Sequence, residues 1–412
     1  MTEDNKEIFK DGENSVFVRS EAQKHSNNDI CAGLTRKIEE TNNIAVACSD
    51  DRYLEKLADV CVKNKTDIYV FDPDNPDESD SWNCLEETLD DHTERLDINK
   101  LKKFMYVLMN NICKVNQSGE DFWADAEYRI LAAAAAYTAY RYEQERAERY
   151  AEIYHEITGG SDERTERILR EEYYPFSQAK SRLIGAALKE HKLPKEFAND
   201  IWRYQGKNHY DLETLYTNLM NFENILDSMR NIPEDHPAYK VCCNVFEPWS
   251  DHVIHSASAC LKKIFKEALP EKTLKLLSED GIKLNFDKYR QTALFIIAPK
   301  EPDLRTPFIS LMITCLIENN ASNYDSQQYI ASLSGKTVFF RPLTVVLDDV
   351  SKLGVIAGDQ EKFGVMLSLA KGKQIATLLM LDAIKDFESL YGMGSEFLLR
   401  NCFLDTEDYF AR

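Results

Sequence analysis

The sequence predicts an α/β protein with a mostly parallel sheet, and three observations support this class. Short runs rich in β-branched residues alternate with helix-patterned segments towards both ends of the 412-residue chain. A long stretch between them shows helical periodicity only. Alternating strands and helices are typical of βαβ units, whose strands run parallel. We therefore expect a parallel α/β sheet that is interrupted by an all-α insertion.

The first third of the chain predicts three strands and two helices. Apolar runs at 15–18, 43–48 and 67–71 have the length and composition of buried strands. The segments 30–40 and 52–63 repeat apolar residues every three to four positions. That spacing places the apolar residues on one face of a helix. The order is strand, helix, strand, helix, strand.

Residues 72–97 form an acidic connection, with eleven acidic residues and one arginine. The stretch predicts a solvated loop, and the alternative is a surface that docks a basic partner. From residue 98 the pattern is helical. One long helix is predicted over 121–154 and ends at Gly159 and Gly160. Proline-separated helices follow, including one over 211–230.

Strand patterns return in the last third of the chain. The expected strands are 292–297, 337–340, 343–347 and 376–381. Between them, helices are expected at 308–319 and 359–370.

Composition limits the function classes. Asp and Glu number 70 against 50 Lys and Arg, for a net charge of −20. This charge argues against a broad surface for nucleic acid, because phosphates repel it, although a local basic patch stays open. The ten cysteines contain no CxxC pair, which predicts reduced, buried thiols. The polar, acidic N-terminus and the lack of a run of ~20 apolar residues predict a cytoplasmic location.

Five segments carry a family resemblance when they are taken together. The most specific is Phe122-Trp-Ala-Asp-Ala-Glu127 at the start of the long helix. The others are 68–85, 292–299, 345–354 and 400–402. In order and spacing they resemble the cytoplasmic ATPase domain of type IV secretion coupling proteins, which bring DNA to the conjugative channel. The Gram-positive branch is the most similar. Unlike that family, the chain shows no N-terminal transmembrane helices.

The resemblance implies a RecA-like P-loop NTPase fold in four segments. A polar N-terminal tail covers 1–14, and the first part of the RecA-like nucleotide-binding domain covers 15–128. An all-α insertion domain follows at 129–245, and the second part of the RecA-like domain covers 246–412.

The phosphate-binding loop is degraded. A P-loop has the pattern GxxxxGK[ST], in which glycines expose backbone N–H groups, lysine reaches the β/γ-phosphates and the hydroxyl holds Mg²⁺. Here Val18 and Gln23 replace the glycines, Lys24 is kept, and His25 replaces the hydroxyl residue. Ser26 is the alternative hydroxyl, one residue late. The loop is expected to bind ATP weakly or not at all.

A second match to the P-loop core is a decoy. Ser334-Gly335-Lys336-Thr337 has Ile330 where the first glycine belongs, and an apolar strand pattern follows it. A phosphate site needs a helix N-terminus at that point. We therefore expect a turn and a strand here.

The other catalytic positions also depart from the family pattern. Asp348 occupies the Mg²⁺-binding position at the end of a strand, and Asp349 replaces the glutamate that orients water. The alternative is a pair of solvated acids. Lys371 and Lys373 replace the arginines that sense or stabilise the transferred phosphate, and Leu381 replaces a glutamine. Together these changes predict a pseudo-ATPase without efficient hydrolysis. No cofactor is expected, with ATP and Mg²⁺ as the alternative.

The insertion holds a mixed aromatic and basic group: Trp202, Arg203, Lys207 and Tyr210. In the family, the corresponding all-α domain is linked to recognition of DNA or relaxosome proteins. Such side chains stack and pair with nucleic acid. The competing interpretation is helix packing beside a solvated loop.

The resemblance leads to one function hypothesis and two rivals. The chain is expected to be a catalytically degenerate, coupling-protein-like component of conjugative DNA transfer that recruits substrate. Its partners would be an active coupling protein, a relaxosome or a channel component, in a homo- or hetero-oligomer. It would not insert into the membrane, and it would lie in the cytoplasm or peripherally at the inner face of the plasma membrane. The rivals are an active hexameric DNA translocase and a structural relic without function.

Overall fold

A computed structural model describes residues 14–18, 28–90, 95–116, 121–171, 177–198, 210–246, 249–286, 289–335, 340–381, 384–392 and 395. The chain divides into two compact units. The first comprises Met1–Trp82, Tyr106–Gly119 and Glu267–Arg412, and the second comprises Asn83–Met105 and Glu120–Lys266. The expected insertion at 129–245 lies inside the second unit, which extends beyond it at both ends.

Among the described residues, the helices of six or more residues, in chain order, are α1 (Asn28–Glu39), α2 (Arg52–Lys63), α3 (Ile98–Asn116), α4 (Asp121–Thr158), α5 (Glu163–Glu171), α6 (Ser177–Glu190), α7 (Leu212–Met220), α8 (Phe222–Arg230), α9 (Pro237–Cys243), α10 (Asp251–Ala268), α11 (Glu271–Leu276), α12 (Thr306–Ser334), α13 (Gln360–Ala370) and α14 (Ile384–Tyr391). No helix in the described ranges is both long and apolar enough to cross a bilayer.

In the part of the first unit that the structure describes, six strands form one sheet. They are β1 (Ser15–Val18), β2 (Asn43–Cys48), β3 (Asp67–Phe71), β4 (Thr292–Ile297), β5 (Leu343–Leu347) and β6 (Ile375–Leu381). Their order is β1-β6-β5-β2-β4-β3, and every pair is parallel. The predicted α/β class is confirmed. The predicted strand 337–340 lies outside the described residues except for Phe340, which is not in a strand.

One face of the sheet packs against α1 and α2. Ile30, Leu34 and Ile38 recur every four residues along α1, and all three are buried. They share a core cluster with Tyr53 and Leu57 of α2 and with alternate residues of the central strands. The predicted helical periodicity therefore corresponds to this buried face.

The connections that leave the neighbouring strands β2 and β5 run in opposite directions across the sheet. From β1 through β2 to β3 the connections run one way, and from β4 through β5 to β6 they run the other way. Right-handed crossovers then place α1 and α2 on one face and α12 and α13 on the opposite face. Since β2 and β5 are neighbours, their carboxyl ends mark a topological switch point of the sheet. Parallel α/β sheets bind ligands at such a switch point.

A buried loop at 353–358 follows β5. The Asn111 side chain accepts from the Val355 N–H at 2.6 Å and donates to the Val355 carbonyl at 3.0 Å. Thr314 accepts from the Ala357 N–H at 2.9 Å, and the Tyr391 hydroxyl accepts from the Ile356 N–H at 3.0 Å. Side chains of three helices thus satisfy the backbone of this buried loop.

The second unit is helical. Helix α4 extends to Thr158, past the predicted end, and Gly159 and Gly160 follow with positive φ of 62° and 76°. It packs against α5, α6, α7 and α9. The single helix predicted over 211–230 is wrong, because the helix breaks at Asn221 into α7 and α8. Asparagine favours caps over helix interiors, and the Asn221 side chain donates to the Thr217 carbonyl at 2.9 Å.

Helix α12 is also longer than predicted. It continues to Ser334, although the expectation ended it at residue 319. The second half of α12 is mostly exposed, so it lacks the apolar stripe on which the prediction relied.

The acidic connection at 72–97 is not a wholly solvated loop. Trp82, Cys84 and Leu85 are fully or almost fully buried. The Asp74 carboxylate pairs with Arg305 at 2.6 Å, and Asp77 pairs with Lys272. Part of the acidic charge is therefore compensated within the first unit.

Candidate functional site

Polar residues from two distant parts of the sequence meet at the carboxyl ends of β2 and β5. Ser49 and Asp50 follow β2, and Arg52 begins α2. Asp348 and Asp349 follow β5. Parallel neighbours end at the same edge of a sheet, so these five side chains meet although about 300 residues separate the two groups.

Asp348 is fully buried. Asp348 lies two residues after Val346, so it shares the face of the sheet on which Val346 packs in the core cluster with α1 and α2. The Tyr53 hydroxyl donates to Oδ2 of Asp348 at 2.7 Å, and the Asp349 N–H donates to Oδ1 at 2.8 Å. Both carboxylate oxygens therefore have donors, as a buried carboxylate requires.

Asp349 has a left-handed backbone, with φ 54° and ψ 48°. Its side chain is 13% exposed. The Ser49 hydroxyl donates to Oδ2 of Asp349, and Nη2 of Arg52 lies 3.7 Å from the same oxygen. Neither Asp348 nor Asp349 is the solvated acid of the alternative interpretation.

Arg52 and Asp50 form a bidentate ion pair. The two contacts, Nε to Oδ1 and Nη2 to Oδ2, are both 2.5 Å. Burial opposes ionisation of Asp50, but the hydrogen bonds from Arg52 outweigh it and hold the pKa of this carboxyl below its usual value. The hydrogen bonds to Asp50 raise the pKa of Arg52 against the effect of burial. Both groups are therefore charged at neutral pH.

Ser49, Arg52 and Tyr53 were missed by sequence reasoning. The available signal was the polar run Ser-Asp-Asp-Arg after the apolar strand at 43–48. The strand order that brings this run to Asp348 is not written in any local pattern.

Lys371 and Lys373 lie at the opposite edge of the sheet. They precede β6, whereas Asp348 and Asp349 follow β5, and the two strands are parallel. One strand length, about 20 Å, separates the two pairs along the sheet. Nζ of Lys373 pairs with Asp325 at 2.6 Å. The structure does not bring these lysines together with the two acids.

The remaining candidates fall mostly outside the described residues. This holds for Lys24, His25 and Ser26, and for Trp202, Arg203 and Lys207. Strand β1 ends at Val18 and α1 begins at Asn28, so the predicted phosphate loop lies between them.

The predicted role of Tyr210 in DNA binding needs a correction. Its side chain is fully buried, its hydroxyl lies 2.5 Å from Oγ1 of Thr88, and its ring stacks on Tyr142 at 5.7 Å. Burial raises the pKa of the phenol. A ring enclosed in this way offers no face to a nucleic-acid base, and it packs the helical core instead.

The second P-loop match begins at the end of a helix, and the strand predicted over 337–340 lies outside the described residues except for Phe340. Gly335 caps the C-terminus of α12 with φ 64°. The glycine thus ends a helix, whereas a phosphate loop stands before a helix N-terminus.

The described carboxylates do not fit a resident metal ion. Across the ranges that the structure describes, no group of three or more His, Cys, Asp or Glu side chains is arranged to hold one. The oxygens of Asp348 already accept from Tyr53 and Asp349, and the Arg52 guanidinium stands beside Asp349.

Comparisons with known proteins give distant structural similarity only. No family model matches the chain, and neither does any curated protein. The solved structures that resemble it include the bacterial conjugative coupling protein TrwBdeltaN70 in an unbound form, with TM-score 0.42 and 11% identity over 88% of this chain and 68% of that chain. The plasmid coupling protein TrwB with the ATP analogue ADPNP gives TM-score 0.41 and 12% identity, over 89% of this chain and 70% of that chain. TrwB with ADP and Mg²⁺ gives TM-score 0.40 and 11% identity, over 89% and 69%.

Proposed function

We propose that this chain is a coupling-protein-like component of conjugative DNA transfer that binds or assembles with partners and does not hydrolyse ATP efficiently. The strand order supports the general proposal. Strands β1, β6 and β5 lie side by side and parallel, with their carboxyl ends at one edge. That order puts the end of β1 and the acids after β5 at the same edge of the sheet, where parallel α/β sheets hold their ligands. The order and spacing of the sequence motifs support the resemblance to the coupling-protein family.

The position of Asp349 carries the proposal of a degenerate site. A water-orienting carboxylate needs a free oxygen directed at the attacking water. Here Oδ2 of Asp349 accepts from Ser49 and faces Arg52, so only the other oxygen of this carboxylate is left to orient a water. Aspartate is also one methylene shorter than glutamate, and a misplacement of about 1 Å costs roughly 10²-fold in rate. Both effects lower the expected rate of ATP hydrolysis, as do the missing P-loop glycines.

The proposed role is recruitment or assembly. The partners would be an active coupling protein, relaxosome proteins or channel components, in a homo- or hetero-oligomer that lies in the cytoplasm or peripherally at the inner face of the plasma membrane. The net charge of −20 favours basic partner surfaces and disfavours direct coating of DNA. Local DNA contact through the helical unit stays part of the proposal.

An active DNA translocase is the second candidate, and the buried Asp348 at the end of β5 favours it. A Mg²⁺-binding acid occupies that place in a working P-loop ATPase. Lys24 is the matching phosphate-binding residue in the sequence. This candidate requires DNA-stimulated ATP hydrolysis that Lys24→Ala abolishes.

Genetic complementation in the host tests the proposal. Deleting the gene from a donor strain is expected to lower the frequency of conjugative transfer. The wild-type chain and the Lys24→Ala and Asp349→Asn variants are all expected to restore it, because the role is not catalytic. Transfer that is unchanged by the deletion would remove the proposed function. Restoration by the wild type but not by stably expressed Lys24→Ala would favour the translocase.

A further inference from the structure

Arg52 lies among three carboxylates at the switch point of the sheet. Its guanidinium forms two 2.5 Å contacts with Asp50 and stands 3.7 Å from Oδ2 of Asp349. The negative charge of Asp348 also acts on it. The Arg52 side chain is 28% exposed, so water screens these interactions only in part.

Hydrogen bonds and a second basic residue complete the charge compensation of the three carboxylates around Arg52. Tyr53 and the Asp349 N–H donate to Asp348, and Ser49 donates to Asp349. Lys352 adds a second positive charge that acts on Asp50. In a magnesium site, a divalent ion would supply this compensation to strand-end carboxylates. Here protein groups supply it.

We propose that Arg52 is a built-in cation that replaces a divalent metal ion at the carboxyl edge of β2 and β5. The carboxylates at this edge are then charge-compensated without metal, and the nucleotide-free protein binds no Mg²⁺ there. This inference rests on the proposed function, because it explains how the same acids are held in an inactive arrangement.

The geometry assigns Arg52 to this role and not to that of an arginine finger. A finger keeps its guanidinium fork free for a phosphate. The fork of Arg52 is committed to Asp50 through Nε and Nη2, and Nη2 also faces Asp349. The guanidinium charge is thus matched within the protein.

Binding of Mn²⁺ to the nucleotide-free, full-length protein tests the inference, because Mn²⁺ reports on Mg²⁺ sites by electron paramagnetic resonance. The wild type is expected to leave the free Mn²⁺ signal unchanged at millimolar protein. Arg52→Gln removes the charge and keeps a polar side chain, so its Mn²⁺ affinity is expected to rise roughly tenfold or more. Arg52→Lys keeps the charge without the fork and is expected to behave as the wild type.

Two results would overturn the inference. One is Mn²⁺ binding by the wild type that Asp348→Asn removes. The other is equal, absent binding in Arg52→Gln and Arg52→Lys when both fold by circular dichroism. If Arg52→Gln does not fold, the wild-type titration alone decides: binding that Asp348→Asn removes contradicts the inference, and no binding supports it. Because no nucleotide or DNA is present, failure of the proposed function does not alter these readouts.

Discussion

The Tyr53 hydroxyl donates a 2.7 Å hydrogen bond to Oδ2 of the fully buried Asp348, across 295 positions of sequence. The bond ties the first turns of α2 to the end of β5. The two elements follow neighbouring strands whose connections run in opposite directions across the sheet. The bond therefore holds Asp348 from the buried side, while Ser49 and Arg52 hold Asp349 beside it.

Tyr53→Phe is expected to destabilise the protein by about 1–3 kcal/mol, because it leaves a buried charged acceptor with one donor fewer. Urea unfolding followed by circular dichroism measures the change. Tyr329→Phe is the matched control, since Tyr329 is 65% exposed. Equal stability of the two variants would show that the bond to Asp348 contributes nothing.

The ion pair of Asp50 with Arg52 predicts that the protein loses stability in acid. Its folded pKa lies below its usual value. Its ion pair therefore contributes fully above the unfolded pKa of about 3.9, and the contribution is lost as the pH falls through the folded pKa. Asp50→Asn is expected to be less stable at neutral pH and to lose less stability between about pH 5 and pH 3. Parallel pH profiles for the wild type and Asp50→Asn would contradict this.

Asn111→Leu is expected to cost about 1–3 kcal/mol, because it removes the acceptor of the Val355 N–H and one of the two donors to the Val355 carbonyl inside a buried loop, where Ser310 supplies the other donor. Asn110→Leu is the neighbouring control, since Asn110 makes a single 3.3 Å contact with the Gly358 carbonyl. Chemical denaturation of both variants gives the comparison. A cost no greater than that of Asn110→Leu would show that the loop does not depend on Asn111.

Gly354→Ala tests the close packing of the same loop. Gly354 has φ 76°, and a Cβ there would lie 2.7 Å from Oδ1 of Asn111. Gly335→Ala is matched in backbone, with φ 64°, but its Cβ would meet nothing within 4 Å. The control is expected to cost about 1–2 kcal/mol from the left-handed backbone alone, and Gly354→Ala is expected to cost more. Similar melting temperatures would contradict the contact with Asn111.

The sheet was predictable from sequence because strands buried on both faces read as short apolar runs, as at 43–48 and 343–347. The opposite ends of the sheet at which Lys373 and Asp348 lie could also be predicted, because Lys373 precedes a strand and Asp348 follows one. The contact between Arg52 and Asp349 could not be predicted, because it depends on β2 lying beside β5. Strand neighbours are set by packing across the whole sheet, and local pattern carries little of that information.

A thermal-shift titration with ATP and Mg²⁺, run beside Lys24→Ala, tests the central claim most directly. A ligand at 100 times its dissociation constant stabilises a protein by about 2.7 kcal/mol, which is readily measured. Degenerate nucleotide machinery predicts no shift that depends on Lys24 at millimolar ATP. A clear stabilisation of the wild type that disappears in Lys24→Ala would contradict the account and favour a working ATPase.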